Sequence, residues 1–256
     1  MHRSIRTLLS RSLWTALAGL LLSPILGTGD LQAQRREIRG KHLPEEVRDL
    51  PLVVLAPRDG GAPLMALVMS GDGNWAHFVS ELADSLVDRG IPVVGLESRA
   101  WLSHPRTPEE LTRDMTRVLR LYLQRWHAEQ ILVVGYSRGA DFAPFLVNRL
   151  PEDLRRRVRA VGLFSPSKMA SFEFHLVDLV RYQHRNTDVP TLPELEKLPD
   201  VPVVCVYGTK DKDTLCPLIP RGLTEVVALD AGHRLHRAGD MADLLLDRVG
   251  DLDKAP

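Results

Sequence analysis

The sequence predicts an α/β fold: a mainly parallel sheet covered by helices on both faces. Three observations carry that expectation. Short apolar runs alternate along the chain with longer segments of helical periodicity. The runs are apolar throughout, as strands buried on both faces are, instead of alternating with polar residues. One run, residues 131–134, leads into Gly135-Tyr136-Ser137-Arg138-Gly139 and then into a helical stretch, so strand, tight turn and helix follow in direct succession.

Each element has a local reason. Residues 34–46 are polar and basic and read as a leader or a first turn. A strand is expected over 50–56, and Arg58-Asp59-Gly60-Gly61 reads as a turn. A second apolar strand covers 64–69 and runs into Ser70-Gly71-Asp72-Gly73-Asn74-Trp75. Residues 75–89 have helical spacing, with Phe78, Val79, Leu82, Leu86 and Val87 on one face and Gly90 suited to the C-terminal end. Residues 91–96 form the next strand and 97–105 a loop. Thr107, Pro108 and Glu110 supply an N-cap, a first-turn proline and the third-position acid of a capping box, and this helix runs to Trp126. Beyond the central unit come a strand at 159–164 and a polar, irregular stretch at 165–193 with an amphipathic piece at 172–182. A strand at 201–207, a loop at 208–217 and a strand at 223–229 follow. A loop with Ala231-Gly232-His233-Arg234 and a helix at 241–249 close the chain. In such sheets ligands gather beyond the carboxyl ends of the strands. The loops that begin at Ser70, Glu97, Ser137 and Gly208, with His233 after the last strand, are therefore expected on one edge.

The 256 residues suffice for one large α/β domain with a full core, or for two small domains. Hydrophobic residues make up 44% and charged residues 26%, ordinary for a globular chain. Lys plus Arg balance Asp plus Glu, so the formal net charge is zero and a basic nucleic-acid footprint is not expected. No metal-ligating cluster and no dinucleotide motif occur in the sequence, so no cofactor is implied. At the start, Arg3, Arg6 and Arg11 precede an apolar run at 13–26 broken by Pro24, and Leu31-Gln32-Ala33 offers a small residue before a cut. This is the pattern of a secretory signal peptide over 1–33, leaving a single domain over 34–256. The apolar run falls short of the roughly 20 residues of a membrane span. In an exported chain the pair Cys205 and Cys216 reads as a disulfide; the other reading is one buried strand cysteine and one loop thiol.

The pentad Gly135 to Gly139 has the G-x-S-x-G spacing of a nucleophile elbow in the context that motif requires. A sharp turn lifts the Ser137 hydroxyl off the sheet, and the glycines let the helix and neighbouring strands approach without a Cβ clash. A serine hydroxyl needs a base. His233, preceded by Gly232, is the candidate, with His236 as its rival; His175 and His184 fall in the irregular stretch. The base needs a carboxylate to hold its ring. Asp211 and Asp213 are both available, and Asp213 is preferred because a Cys205–Cys216 bridge would fix the loop beside it. The oxyanion needs two donors: the backbone N–H of Arg138, and one from Gly71-Asp72-Gly73. Asp72, Glu97 and Asp141 could make an acidic pocket for a cationic group, with Arg99 and Trp101 nearby. The order Ser137, aspartate, His233 is that of α/β-hydrolases.

Four stretches, SGDGNW, GYSRGADFAPF, VYGTKDKDTLCP and AGHRLH, together resemble the bacterial virulence protein VirJ/AcvB family within the α/β-hydrolases, over roughly residues 50–249. The resemblance implies a periplasmic serine hydrolase similar to proteins that cut the aminoacyl ester of lysyl-phosphatidylglycerol and that are linked to type IV secretion. It implies Ser137 as nucleophile, His233 as its histidine and Asp213 as the aspartate of an Asp-x-x-Cys loop. The partners expected on this basis are an aminoacylated phospholipid or another ester, secretion-system proteins and a membrane surface in peripheral contact. Two further functions fit the same residues: a catalytically silent hydrolase-fold protein that assists secretion, and a general esterase or thioesterase.

Overall fold

The computed structural model describes residues 36–56, 63–175 and 185–252, all within one compact unit. The expected signal segment, the turn at 58–61, His184 and most of the expected amphipathic piece lie outside these residues. The chain begins with β1 (Arg36–Arg39), β2 (Leu52–Ala56) and β3 (Leu64–Met69), then α1 (Phe78–Asp88), β4 (Val93–Leu96), α2 (Ser98–Trp101) and α3 (Pro108–Trp126). It continues through β5 (Gln130–Tyr136), α4 (Arg138–Arg149), α5 (Glu152–Arg155), β6 (Val158–Phe164), β7 (Met169–Ala170), β8 (Val189–Pro190) and α6 (Leu192–Leu195). It ends with β9 (Val203–Gly208), β10 (Glu225–Leu229) and α7 (Ala238–Leu252).

Among the described residues eight strands form one sheet in the order β1-β2-β4-β3-β5-β6-β9-β10. From β4 to β10 every neighbouring pair is parallel, and β2 and β1 close one edge antiparallel. The class expected from continuous apolar runs is therefore the class observed. The chain starts its parallel sheet at β3, winds outward to β4, then returns to place β5 on the other side of β3. Helices cover both faces of the sheet. Ile131 and Val133 of β5 share a core with α3 and α4; Leu132 and Val134, pointing the other way, share one with α1 and α7. The reversal leaves a crevice at the carboxyl ends of β3 and β5.

Local chemistry sets the element ends. The Thr107 hydroxyl accepts the Glu110 N–H at 3.1 Å and the Glu110 carboxylate accepts the Thr107 N–H at 3.0 Å, the reciprocal capping box expected for α3. α1 starts at Phe78, three residues later than its apolar spacing suggested, because His77 has φ +50° and cannot be helical. The described residues of the 165–193 stretch are more regular than their polarity implied: β7 and β8 pair antiparallel, and Phe172 stacks on Phe142 with centroids 4.6 Å apart. β1 falls where a leader was expected. It is an edge strand held to β2 through its backbone, so its side chains Arg-Glu-Ile-Arg carry little apolar signal.

Candidate active site

The crevice between β3 and β5 is occupied by a strained turn. Ser137 has φ +53° and ψ −123°, between the last residue of β5 and the first of α4. Its N–H still reaches the sheet, donating to the Phe164 carbonyl at 2.8 Å, while its own carbonyl already accepts the N–H of Ala140 at 2.8 Å. A non-glycine residue in this conformation costs on the order of 1–3 kcal/mol and persists where its surroundings dictate it. Here they do. A Cβ on Gly135 would come within 2.2 Å of the Gly139 carbonyl oxygen, and one on Gly139 within 2.1 Å of that of Met69. The elbow glycines thus serve close approach of helix to sheet.

The lifted hydroxyl has a partner. Ser137 Oγ lies 2.8 Å from His233 Nε2, and His233 Nδ1 lies 2.7 Å from Asp211 Oδ2. The carboxylate side chain is 8% exposed and the imidazole 44%, so the acid is buried behind a base open to the crevice. The carboxylate against the histidine is Asp211, which corrects the preference for Asp213. The physical reason is the turn after β9: the Asp213 N–H donates to Asp211 Oδ1 at 3.1 Å, which curls the loop so that Asp211 faces His233. Asp213 lines the adjoining cavity instead.

The loop after β3 passes directly beside Ser137; a Cβ on Gly71 would lie 2.8 Å from Ser137 Cβ. The Arg138 N–H belongs to the first turn of α4, where helix amides have no intrahelical acceptor. The Asp72 side chain is committed elsewhere. Its oxygens face Arg138 Nε at 2.5 Å and Nη2 at 2.8 Å, a forked pair. Arg138 is only 5% exposed and also donates from Nη1 to the carbonyls of Ser171 at 2.7 Å and Glu173 at 3.2 Å. This guanidinium ties the β3 loop, the elbow helix and residues 171–173 together, and it neutralises Asp72.

A cavity of about 610 Å³ opens over Ser137 and His233, with Gly73, Asp141, Asp213, Glu81, Met169 and His236 among its walls. Glu97 is not in it: its carboxylate pairs with Arg39 Nη1 at 3.2 Å, on the β1 side of the sheet, which corrects its expected place in the pocket. Arg99 lines a separate cavity of about 350 Å³ that shares Asn74 with the first. Its guanidinium rests over the Phe174 ring at 5.2 Å. Trp101 is core, donating to Asp114 Oδ2 at 3.0 Å. Among the described residues no group of three or more His, Cys, Asp or Glu side chains could hold a metal ion.

A family model described as bacterial virulence protein (VirJ) matches residues 63–252, a span that contains the elbow, the acid loop and the histidine. The chain belongs to the VirJ family. No curated protein matches the sequence. Solved structures share the fold. An esterase of Pyrococcus furiosus is 14% identical with a TM-score of 0.57, over 88% of this chain and 94% of its own. An alpha-beta serine hydrolase homologue from Coxiella burnetii is 17% identical with a TM-score of 0.54, over 85% and 96%. Est1E from Butyrivibrio proteoclasticus is 11% identical with a TM-score of 0.55, over 85% and 99%. The fold of this VirJ-family chain is that of the α/β-hydrolases.

Two features beside the Asp211–His233–Ser137 line of this VirJ-family chain have measurable consequences. Cys205, in β9, is bonded to Cys216, with Cα atoms 5.7 Å apart and both residues buried. The bond closes the loop that carries Asp211. Replacing both cysteines by alanine is expected to cost about 2–3 kcal/mol on the chain-entropy model, read as a lower urea midpoint; an unchanged midpoint would contradict this. Asp141, in the first turn of α4, is 4% exposed and accepts the Ser167 N–H at 2.6 Å. Burial pushes its carboxyl well above the usual carboxylate range, against the lowering effects of Ser167 and Arg138. The folded state therefore keeps this proton to higher pH than the unfolded chain does. Its contribution is complete below about pH 4 and is lost as pH rises towards the folded value. Asp141→Asn keeps the acceptor and cannot ionise, so its urea midpoint should exceed that of wild type at pH 8 and converge with it near pH 4. A deficit at pH 8 would contradict the assignment.

Sequence reasoning missed the Arg138–Asp72 pair, whose partners are 66 residues apart. It also passed over Tyr136 and Ser165, whose hydroxyls both reach the His233 carbonyl. Tyr136 sits inside the pentad, the one signal that could have drawn attention to it.

Proposed function

We propose that this chain is an exported serine hydrolase of esterase type that cleaves the aminoacyl ester of lysyl-phosphatidylglycerol or a related aminoacyl lipid. The observation that carries the reading is the continuous line from Asp211 through His233 to Ser137, with contacts of 2.7 and 2.8 Å. Asp211 holds the ring so that Nδ1 carries a proton and Nε2 is the acceptor. As Ser137 Oγ attacks the ester carbonyl, Nε2 takes its proton. The Arg138 N–H and an amide of Gly71-Asp72-Gly73 receive the developing oxyanion. The protonated imidazole then gives its proton to the departing alcohol, leaving an acyl-enzyme. Water deprotonated by the same nitrogen releases the acid and restores the serine.

The sequence resemblance implies an aminoacyl substrate, and the cavity suits a cationic acyl group: Asp213 and Glu81 contribute carboxylates to the wall around Ser137, whereas Asp141, held protonated by burial, adds a hydrogen-bonding group and no charge. Arg99 lies in the adjoining cavity, where an anionic head group could rest. Periplasmic location is supported by the basic and apolar pattern of the first 33 residues and by the disulfide. Contact with secretion-system proteins and with a membrane surface belongs to the same reading.

The test compares substrates. Vesicles with lysyl-phosphatidylglycerol, a neutral p-nitrophenyl ester and an acyl thioester are offered to the purified chain, and kcat/KM is measured for each. The lysyl ester should be the best of the three. A preference for the thioester would make the chain a thioesterase instead, and a folded protein that turns over none would be a binding protein on a hydrolase fold.

A further inference from the structure

The base of this site stands on an irregular loop. His233 lies between β10 and α7, and its ring is nearly half exposed. The Asp211 contact orients the ring; it does not by itself fix the backbone from which the ring hangs. Two hydroxyls converge on that backbone. Ser165 Oγ donates to the His233 carbonyl at 3.0 Å, and Tyr136 Oη donates to the same oxygen at 3.3 Å. Both donors stand at the carboxyl ends of adjacent strands: Tyr136 ends β5 opposite Phe164 of β6, and Ser165 is the next residue. Tyr136 is also the residue covalently before the nucleophile.

We propose that Tyr136 and Ser165 are positioning residues that register the His233 loop to the strand ends carrying Ser137. Several observations on each residue support this. Ser165 is fully buried and has φ +50°, a conformation tolerated where surroundings require it. Its own N–H is held by the Val206 carbonyl at 2.8 Å, so the hydroxyl is presented from a fixed backbone. The Tyr136 ring packs against Phe78 at 5.1 Å and faces the His233 ring at 6.0 Å. Burial pushes the Tyr136 pKa above the ordinary phenol value, which keeps the phenol a donor throughout the neutral range. A base tied to the residue next to the nucleophile moves with the nucleophile, and a shift of about 1 Å between them costs about 100-fold in rate.

This inference rests on the hydrolase reading, and the experiment separates the two. Tyr136→Phe, Ser165→Ala and the double variant are assayed on a p-nitrophenyl ester, alone and in a His233→Ala background. The Nδ1 proton of His233 is followed by NMR in the same proteins without substrate. The folded double variant should lose about 10- to 100-fold in kcat with KM little changed. It should lose nothing further when His233 is already alanine, and its Nδ1 proton resonance should broaden. Wild-type kcat with an unaltered resonance would overturn the proposal, as would a full loss that persists without His233. Should Ser165→Ala fail to fold, Tyr136→Phe keeps its ring packing and is read by the same criteria. Should wild type turn over no ester, the hydrolase reading falls, and the resonance alone decides the positioning role.

Discussion

Ser137→Ala is expected to remove turnover almost completely, by about 10⁴-fold or more in kcat, while leaving the fold intact. The expectation follows from the geometry of one atom. Ser137 Oγ is the hydroxyl that His233 Nε2 contacts, and it stands at the end of β5 on a strained residue with φ +53°. Removing it deletes the proposed nucleophile without touching the elbow glycines or the Arg138–Asp72 pair. The release of that strain is not available to alanine, which keeps the same backbone, so stability should change little. Steady-state kcat on the best ester and a urea midpoint together check this. A variant with even a tenth of wild-type turnover would place the chemistry elsewhere.

Asp211→Asn is expected to have the second largest effect, about 10⁴-fold in kcat. An asparagine amide in place of the carboxylate can donate to Nδ1, which favours the ring tautomer with its proton on Nε2, the wrong one for accepting from serine. It also removes the charge that stabilises the imidazolium. The comparison that matters is Asp213→Asn. Asp213 reaches the cavity and not the histidine, so on a neutral ester its loss in kcat should be far smaller, and any effect should appear in KM for cationic acyl groups. Equal losses for the two variants would return the triad role to the loop as a whole.

The two aspartates also show where sequence reading stops. The elbow was legible because three local signals coincide there: a buried strand, glycines at fixed spacing and a helix start. His233 was legible because a glycine-preceded histidine follows the last strand. Asp211 and Asp213 share one loop, and choosing between them depends on a hydrogen bond inside that loop, from the Asp213 amide to Asp211. No spacing encodes it. The disulfide expected from compartment and count does form, yet it braces a loop whose catalytic-side carboxylate is the earlier one. Glu97 sits after a strand, as site residues do, and was lost to Arg39 of β1, a strand whose side-chain pattern could not announce it. The class of fold, by contrast, was written in the apolar runs themselves, because strands covered on both faces leave no polar alternation.

The central claim is that the Ser137 hydroxyl is activated by His233. A fluorophosphonate probe tests it without any assumption about substrate. The intact protein should take up one equivalent, mapped by peptide mass to Ser137, and His233→Ala should label at least a hundredfold more slowly. A folded protein that takes up no probe, or takes it up elsewhere than Ser137, would contradict the claim.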